Sequence, residues 1–237
     1  MAQTLTLATA DGDMALYGAE PEGEARAAIV VVQEAFGVND HIEDVTRRFA
    51  TAGYRAVAPH LFHRTGDPVV AYGDYDKLTP HFESLSEKGL LSDVDAAIAY
   101  LAERGFESRR IGVVGFCMGG SVAFLTAVRR PVGAAVTFYG GGVAEGRFGM
   151  RPQLELASGL QTPWLGLYGD KDQGIPVDDV EALRAAVAGA PVEAEIVRYP
   201  EAGHGFHCDR RADYHEASAT DAWSRTLAWF GKYLVAA

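Results

Sequence analysis

The amino-acid sequence predicts an α/β fold with a mostly parallel central sheet and helices on both faces. Three observations predict it. Ala27–Val32 is an unbroken apolar run, as in a strand buried on both faces of a parallel sheet. Strand-like runs alternate with helix-like patterns along the rest of the chain. The 237 residues contain no visible internal repeat and no low-complexity tract, so one domain spanning residues 1–237 is the simplest organisation.

Taken in order, Thr4–Ala8 and Met14–Tyr17 read as short opening strands around the turn Asp11-Gly12-Asp13. The buried strand Ala27–Val32 is followed by helix Ile42–Ala52, strand Tyr54–Ala58 and a less regular insert between Arg64 and Gly89. Helix Ser92–Glu103, strand Ile111–Phe116, helix Gly119–Val128 and strand Ala134–Tyr139 continue the alternation. Strand Trp164–Tyr168, helix Val177–Ala188, strand Ala194–Tyr199 and a closing helix from about Ala212 to Leu234 complete it. The insert is expected to cover a site, because ligands bind at the carboxyl edge of such sheets and long connections there are usually functional.

Composition narrows the classes. Apolar residues at 48%, charged residues at 22% and ten prolines describe an ordinary globular chain and exclude collagen-like, disordered and disulfide-scaffold proteins. A net charge of −11 repels phosphate backbones and anionic lipid heads, so neither nucleic acid nor membrane is an expected partner. The longest apolar stretch, Ile111–Val128, is broken by Gly112, Gly115, Gly119 and Gly120 and reads as a turn between two elements, not as a membrane span. Cys117 and Cys208 are too few for a disulfide framework, and the N-terminus lacks the features of a secretory signal; free thiols in the cytoplasm are expected.

The chemistry is carried by three strand ends. Gly115-Phe116-Cys117-Met118-Gly119-Gly120 lies between an apolar strand and a helix, the context of a nucleophile elbow with cysteine in the place of serine. Small residues flank such a nucleophile because its turn is too tight for neighbouring side chains. The helix N-terminus favours a thiolate at Cys117, and the amide of Met118 faces a developing oxyanion. An acidic pair, Asp170 and Asp172, follows strand Trp164–Tyr168, and His204 follows strand Ala194–Tyr199 between two glycines. Nucleophile, acid and histidine therefore occur in the chain order of an elbow-type triad. After Ala27–Val32 comes Gln33-Glu34-Ala35-Phe36-Gly37, where α/β-hydrolases supply their second oxyanion donor; the amide of Ala35 is the candidate. Glu34 is a carboxylate at the end of a buried strand, either a salt-bridge or capping residue of its loop or a proton acceptor near the thiol.

These residues resemble the dienelactone hydrolase (carboxymethylenebutenolidase) family of the α/β-hydrolases. The resemblance rests on Gln33–Asn39, on Gly115–Gly120, on Asp172 with Pro176 four residues on, and on Glu201-Ala202-Gly203-His204-Gly205-Phe206, and it spans nearly the whole chain. It implies a triad of Cys117, Asp172 and His204, with Glu34 taking the thiol proton when substrate binding disturbs a resting pair. It also implies hydrolysis of a small ester or lactone through a thioester, without a cofactor. The alternative is a non-catalytic or redox-sensing thiol protein on the same scaffold.

One departure concerns the substrate. The family holds an anionic substrate with an arginine in the insert and another four residues after the catalytic histidine. The second position here is Cys208, and no arginine occurs between Arg64 and Arg104. Arg210 and Arg211 are near in sequence, with no motif that brings them to the site. Uncharged esters or lactones are therefore expected to be the better substrates. Phe36 is the expected pocket residue, ahead of Tyr72, Tyr75, Phe82 and Tyr139. His204-x-x-His207-Cys208 and His60-x-x-His63 have metal-like spacings, but neither offers a full ligand set and no metal is expected.

Overall fold

The computed structural model describes residues 2–235 and contains one eight-stranded sheet in the order β1-β2-β4-β3-β5-β6-β7-β8. β1 (Ala2–Thr9) and β2 (Gly12–Ala19) form an antiparallel hairpin, and β2 pairs antiparallel with β4 (Arg55–Pro59). From β4 through β3 (Ala28–Val32), β5 (Ile111–Phe116), β6 (Ala134–Phe138), β7 (Trp164–Gly169) and β8 (Ala194–Tyr199) every pairing is parallel. Every residue of β3, β5, β6 and β7 is buried, which is why these strands read as unbroken apolar runs and not as alternation. The expected strands are all present, β1 and β2 being longer at both ends than expected.

The helices cover both faces of the sheet. α1 (Asp40–Thr51) starts at Asn39, whose side-chain oxygen accepts from the amide of Ile42. Within the insert, α2 (Thr79–Glu83) is a short turn of helix. α3 (Glu87–Ala102) begins five residues before the expected start, because Ser86 caps it through the amide of Gly89. α4 (Met118–Arg129), the short α5 (Gln153–Leu156), α6 (Val177–Val187) and α7 (Glu216–Phe230) complete the set. α5 had no sequence counterpart. α7 starts at Glu216 and not near Ala212, since Cys208–His215 is spent on successive turns capped by His215. Among the described residues no helix is long and apolar enough to cross a membrane.

The parallel strands point their carboxyl ends to one edge, and the loops after β3, β5, β6, β7 and β8 meet there. The insert packs over this edge. The amide of Val70 donates to the carbonyl of Phe36, and a Cβ on Gly37, which has φ +86°, would run into the carbonyl of Pro68.

Candidate active site

Between β5 and α4 a single residue makes the turn. Cys117 has φ +54° and ψ −118°, a region that side chains rarely occupy, and its conformation is held from all sides. Its amide donates to the carbonyl of Phe138 at 3.1 Å, and its own carbonyl accepts from the amides of Gly120 and Ser121. Only glycine fits at the flanks: a Cβ on Gly115 would overlap the carbonyl of Gly119, and one on Gly119 would overlap the carbonyls of Val32 and Gln33. The strain lifts the half-buried thiol into a cavity at the N-terminus of α4, where the amides of Met118 and Gly119 have no acceptor within the helix.

The loops after β7 and β8 bring the histidine and its acid together. His204 Nδ1 and Asp172 Oδ2 are 2.7 Å apart, and Asp172 Oδ1 accepts from the amide of Gly174 at 2.8 Å, so both oxygens of this buried carboxylate are engaged. Asp170 is held elsewhere, gripped by Nε and Nη2 of Arg198 at 2.7 Å each. Burial pulls the pKa of His204 down; the charge of Cys117, and after it the hydrogen bonds with Asp172 and Cys117, outweigh burial and raise it well above the ordinary imidazole value. A protonated imidazole beside a thiolate is the pairing that favours such a shift.

Glu34 precedes the cavity-lining Ala35 in the loop after β3. Its side chain is fully buried, and the loop that carries it is anchored by Gln33, whose Oε1 accepts from the amide of Leu61 at 3.0 Å. The hydroxyl of Tyr72 donates to Glu34 Oε2 at 3.2 Å, that of Tyr139 donates to Oε1 at 3.5 Å, and Nη1 of Arg211 lies 3.8 Å from Oε1. Tyr139 is itself a buried residue with positive φ (+39°), and its ring sits edge-on to His204. Ala35 and Phe36, next along the loop, line the cavity.

The cavity has a volume of about 500 Å³. Its apolar wall includes Phe36, Tyr75, Leu78, Phe82 and Phe148, so the insert does cover the site and supplies three of these five residues. Arg147, Lys171 and Arg211 also line it. Arginines therefore reach the cavity from positions other than the two that the family resemblance leads one to expect. Turns from Gly205 to Cys208 and from Cys208 to Arg211 fold the chain back, and the Arg211 side chain, 9% exposed, lies against Gly205, whose φ of +80° a side chain would strain. Arg210 points to solvent at 61% exposure and pairs with Asp209. Arg147 comes from the loop after β6, where the sequence offered no motif.

The histidines with metal-like spacing go separate ways. His207 is buried among Phe116, Phe138 and Trp223, and burial pushes its pKa well below the ordinary value. His60 pairs with Asp67 at 2.7 Å. His63, with Arg64, meets the buried carboxylate of Asp93, and Arg64 extends to Asp11 in the β1–β2 turn. His63 thus belongs to a buried ionic cluster that ties the insert to α3 and the hairpin. Among the described residues no three His, Cys, Asp or Glu side chains converge where a metal could sit.

Comparison with known proteins gives the family. Residues 14–234 match the dienelactone hydrolase family. A Salmonella typhimurium protein provisionally named carboxymethylenebutenolidase is 40% identical over 225 residues, covering 93% of this chain and 83% of its own. A Yersinia pestis protein with the same provisional name is 38% identical over 237 residues, covering 98% and 88%. The crystal structure of a Klebsiella pneumoniae protein, provisionally called a dienelactone hydrolase, is 40% identical with a TM-score of 0.91 and covers 98% of this chain and 99% of its own.

Proposed function

The chain belongs to the dienelactone hydrolase family, and from that premise we propose that it hydrolyses small esters or lactones through a thioester on Cys117. The observation that carries this reading is the strained Cys117 sharing one cavity with the His204–Asp172 pair. In the resting enzyme the thiolate of Cys117 faces the imidazolium of His204, and Asp172 holds the ring by its Nδ1–H. The thiolate attacks the substrate carbonyl, and the amides of Ala35 and Met118 donate to the oxyanion. Collapse breaks the C–O bond and His204 gives its proton to the leaving alkoxide. When an entering substrate disturbs the resting pair and the proton returns from His204 to the sulfur, Glu34 takes it from the thiol and gives it back to His204, so that the same single proton later reaches the leaving alkoxide.

Deacylation follows from the same electrostatics. The charge of Cys117 leads the effects that keep the proton on His204, and thioester formation removes that charge. Burial then favours neutral imidazole, which is the form that takes a proton from the attacking water. Collapse of the second tetrahedral intermediate releases the acid and returns the thiolate and imidazolium. No cofactor enters the scheme, and an acidic protein with free thiols fits a cytoplasmic setting.

The cavity bears on substrate choice. Lys171 is bound to Glu201 at 2.5 Å, and Arg211 lies between Glu34 and Asp213. Among the described residues Arg147 has no carboxylate partner, and it stands beside Phe148 with its guanidinium 5.3 Å from the ring centre. This supports substrates with an apolar body and an anionic group over purely neutral ones. A panel of chromogenic esters and lactones, matched with and without a carboxylate, tests the activity: turnover supports the hydrolase, and stoichiometric labelling of Cys117 without turnover supports a thiol sensor.

A further inference from the structure

Behind Glu34 lies a group of side chains whose hydrogen-bond directions can be worked out. The hydroxyl oxygen of Tyr72, in the insert, is 3.2 Å from Glu34 Oε2, 3.1 Å from Asn39 Nδ2 and 3.3 Å from Cys208 Sγ. Asn39 is the N-cap of α1, and its Oδ1 is committed to the amide of Ile42 at 3.2 Å. Its Nδ2 is thereby turned to Tyr72, and an amide nitrogen can only donate. The phenol has one hydrogen to give. An ionised carboxylate only accepts, so with Glu34 charged that hydrogen goes to Oε2.

The third partner settles the rest. Cys208 is fully buried; burial first, and then the charge of Glu34, pushes its thiol pKa up to about 11. At neutral pH it is an S–H group, free to donate to the phenol oxygen whose own hydrogen is already used. Asn39 and Cys208 thus both donate to Tyr72, and Tyr72 donates to Glu34. Each donor polarises the next bond in the same direction, towards the carboxylate. The 3.2 Å bond from Tyr72 is shorter than the approaches of Tyr139 and Arg211 to the same carboxylate.

We propose that Tyr72, backed by Asn39 and Cys208, is the positioning residue that fixes the Glu34 carboxylate by donating to its Oε2. The proposal rests on the reading that Glu34 assists in activating the thiol. It gives Cys208 a role at the position where the family resemblance leads one to expect an arginine: the thiol supplies a hydrogen bond to the phenol instead of a charge to the substrate. The charged and titratable groups that face Glu34 are Tyr72 from the insert, Tyr139 from the end of β6, Arg211 and Cys208 from the turns after His204, and His41 from α1. Burial lowers the pKa of His41, so at neutral pH it adds no positive charge to that set.

The test is the pre-steady-state acylation rate with p-nitrophenyl acetate, followed by stopped flow across pH in the full chain. Tyr72→Phe keeps the ring edge-on to Phe36 and removes only the O–H. Losing a hydrogen bond to a charged group should slow acylation roughly tenfold or more. The acid limb of the profile should also move to higher pH, because an ionised carboxylate deprived of a donor takes up its proton more readily. Cys208→Ala should shift the limb the same way by less, and Cys208→Ser, which restores a donor, should recover most of that shift. Glu34→Gln, run in parallel, separates the two readings. Acylation at the wild-type rate in Glu34→Gln overturns both. Slow acylation in Glu34→Gln, with Tyr72→Phe superimposing on wild type, overturns the proposal alone. Equal shifts in Cys208→Ala and Cys208→Ser also overturn it, and these two variants decide the matter if Tyr72→Phe does not fold.

Discussion

His204 Nδ1 meets Asp172 Oδ2 at 2.7 Å, while Asp170, two residues earlier on the same loop, is bound by two nitrogens of Arg198. One carboxylate orients the imidazole; the other joins the end of β7 to β8. Asp172→Asn should therefore lower turnover on the order of 10³-fold or more, as loss of the group that fixes the tautomer does in comparable triads. Asp170→Asn should leave turnover within a few-fold and cost about 1 kcal/mol of stability, the usual scale of a partly exposed pair. Steady-state kinetics and thermal melts of the two variants check this, and equal losses of turnover would remove the distinction.

Cys117 is the leading cause of the raised pKa of His204. Burial favours neutral imidazole, and the charge of Cys117 leads the effects that raise the pKa against it, followed by the bonds with Asp172 and Cys117. Cys117→Ala should bring the His204 pKa down, and NMR titration of its ring resonances should show the ring becoming neutral at a lower pH than in wild type. An unchanged titration would show that Cys117 does not hold the proton, and the account of deacylation would fail with it.

The two thiols should differ sharply in reactivity. Cys117 opens into the cavity at a helix N-terminus, whereas Cys208 is fully buried with its pKa pushed up to about 11. Iodoacetamide at neutral pH should label Cys117 first, and activity should fall in step with that label in peptide mass spectrometry. First labelling at Cys208 with activity intact would contradict the assignment.

Much of this site was legible in the sequence, and the limit of that legibility is physical. The buried strands β3, β5, β6 and β7 announce themselves because every residue in them is covered, and Cys117, Asp172 and His204 sit directly after strand ends, where periodicity and motif spacing give their places. Arg211 and Tyr72 lie in irregular chain, where direction is set by turns and by contacts with distant residues. Nothing local says that turns at Cys208 and Arg211 fold a guanidinium back onto Glu34, or that Asn39 turns its amide to Tyr72. The early start of α3 has a local signal in Ser86, which Gly89 obscured.

The arginines that line the cavity bear on the substrate preference that the sequence suggested. With Arg147 at the cavity and without a carboxylate partner among the described residues, a carboxylate-bearing ester should compete well with its neutral match. Arg147→Ala should raise KM for the carboxylate ester roughly tenfold, the scale of one charge-assisted hydrogen bond, and leave the neutral ester within a few-fold. Equal changes for both esters would mean that Arg147 shapes the wall without reading charge.

The central claim is a covalent acyl group on Cys117, and rapid quench into acid followed by intact and peptide mass spectrometry tests it most directly. With p-nitrophenyl acetate, wild type should carry an acetyl adduct on the peptide containing Cys117 within the first turnover, sensitive to hydroxylamine as a thioester is. Asp172→Asn should accumulate the adduct, because it loses the oriented base for deacylation. Turnover by Cys117→Ala at a rate close to wild type, or an adduct confined to another residue, would contradict the account.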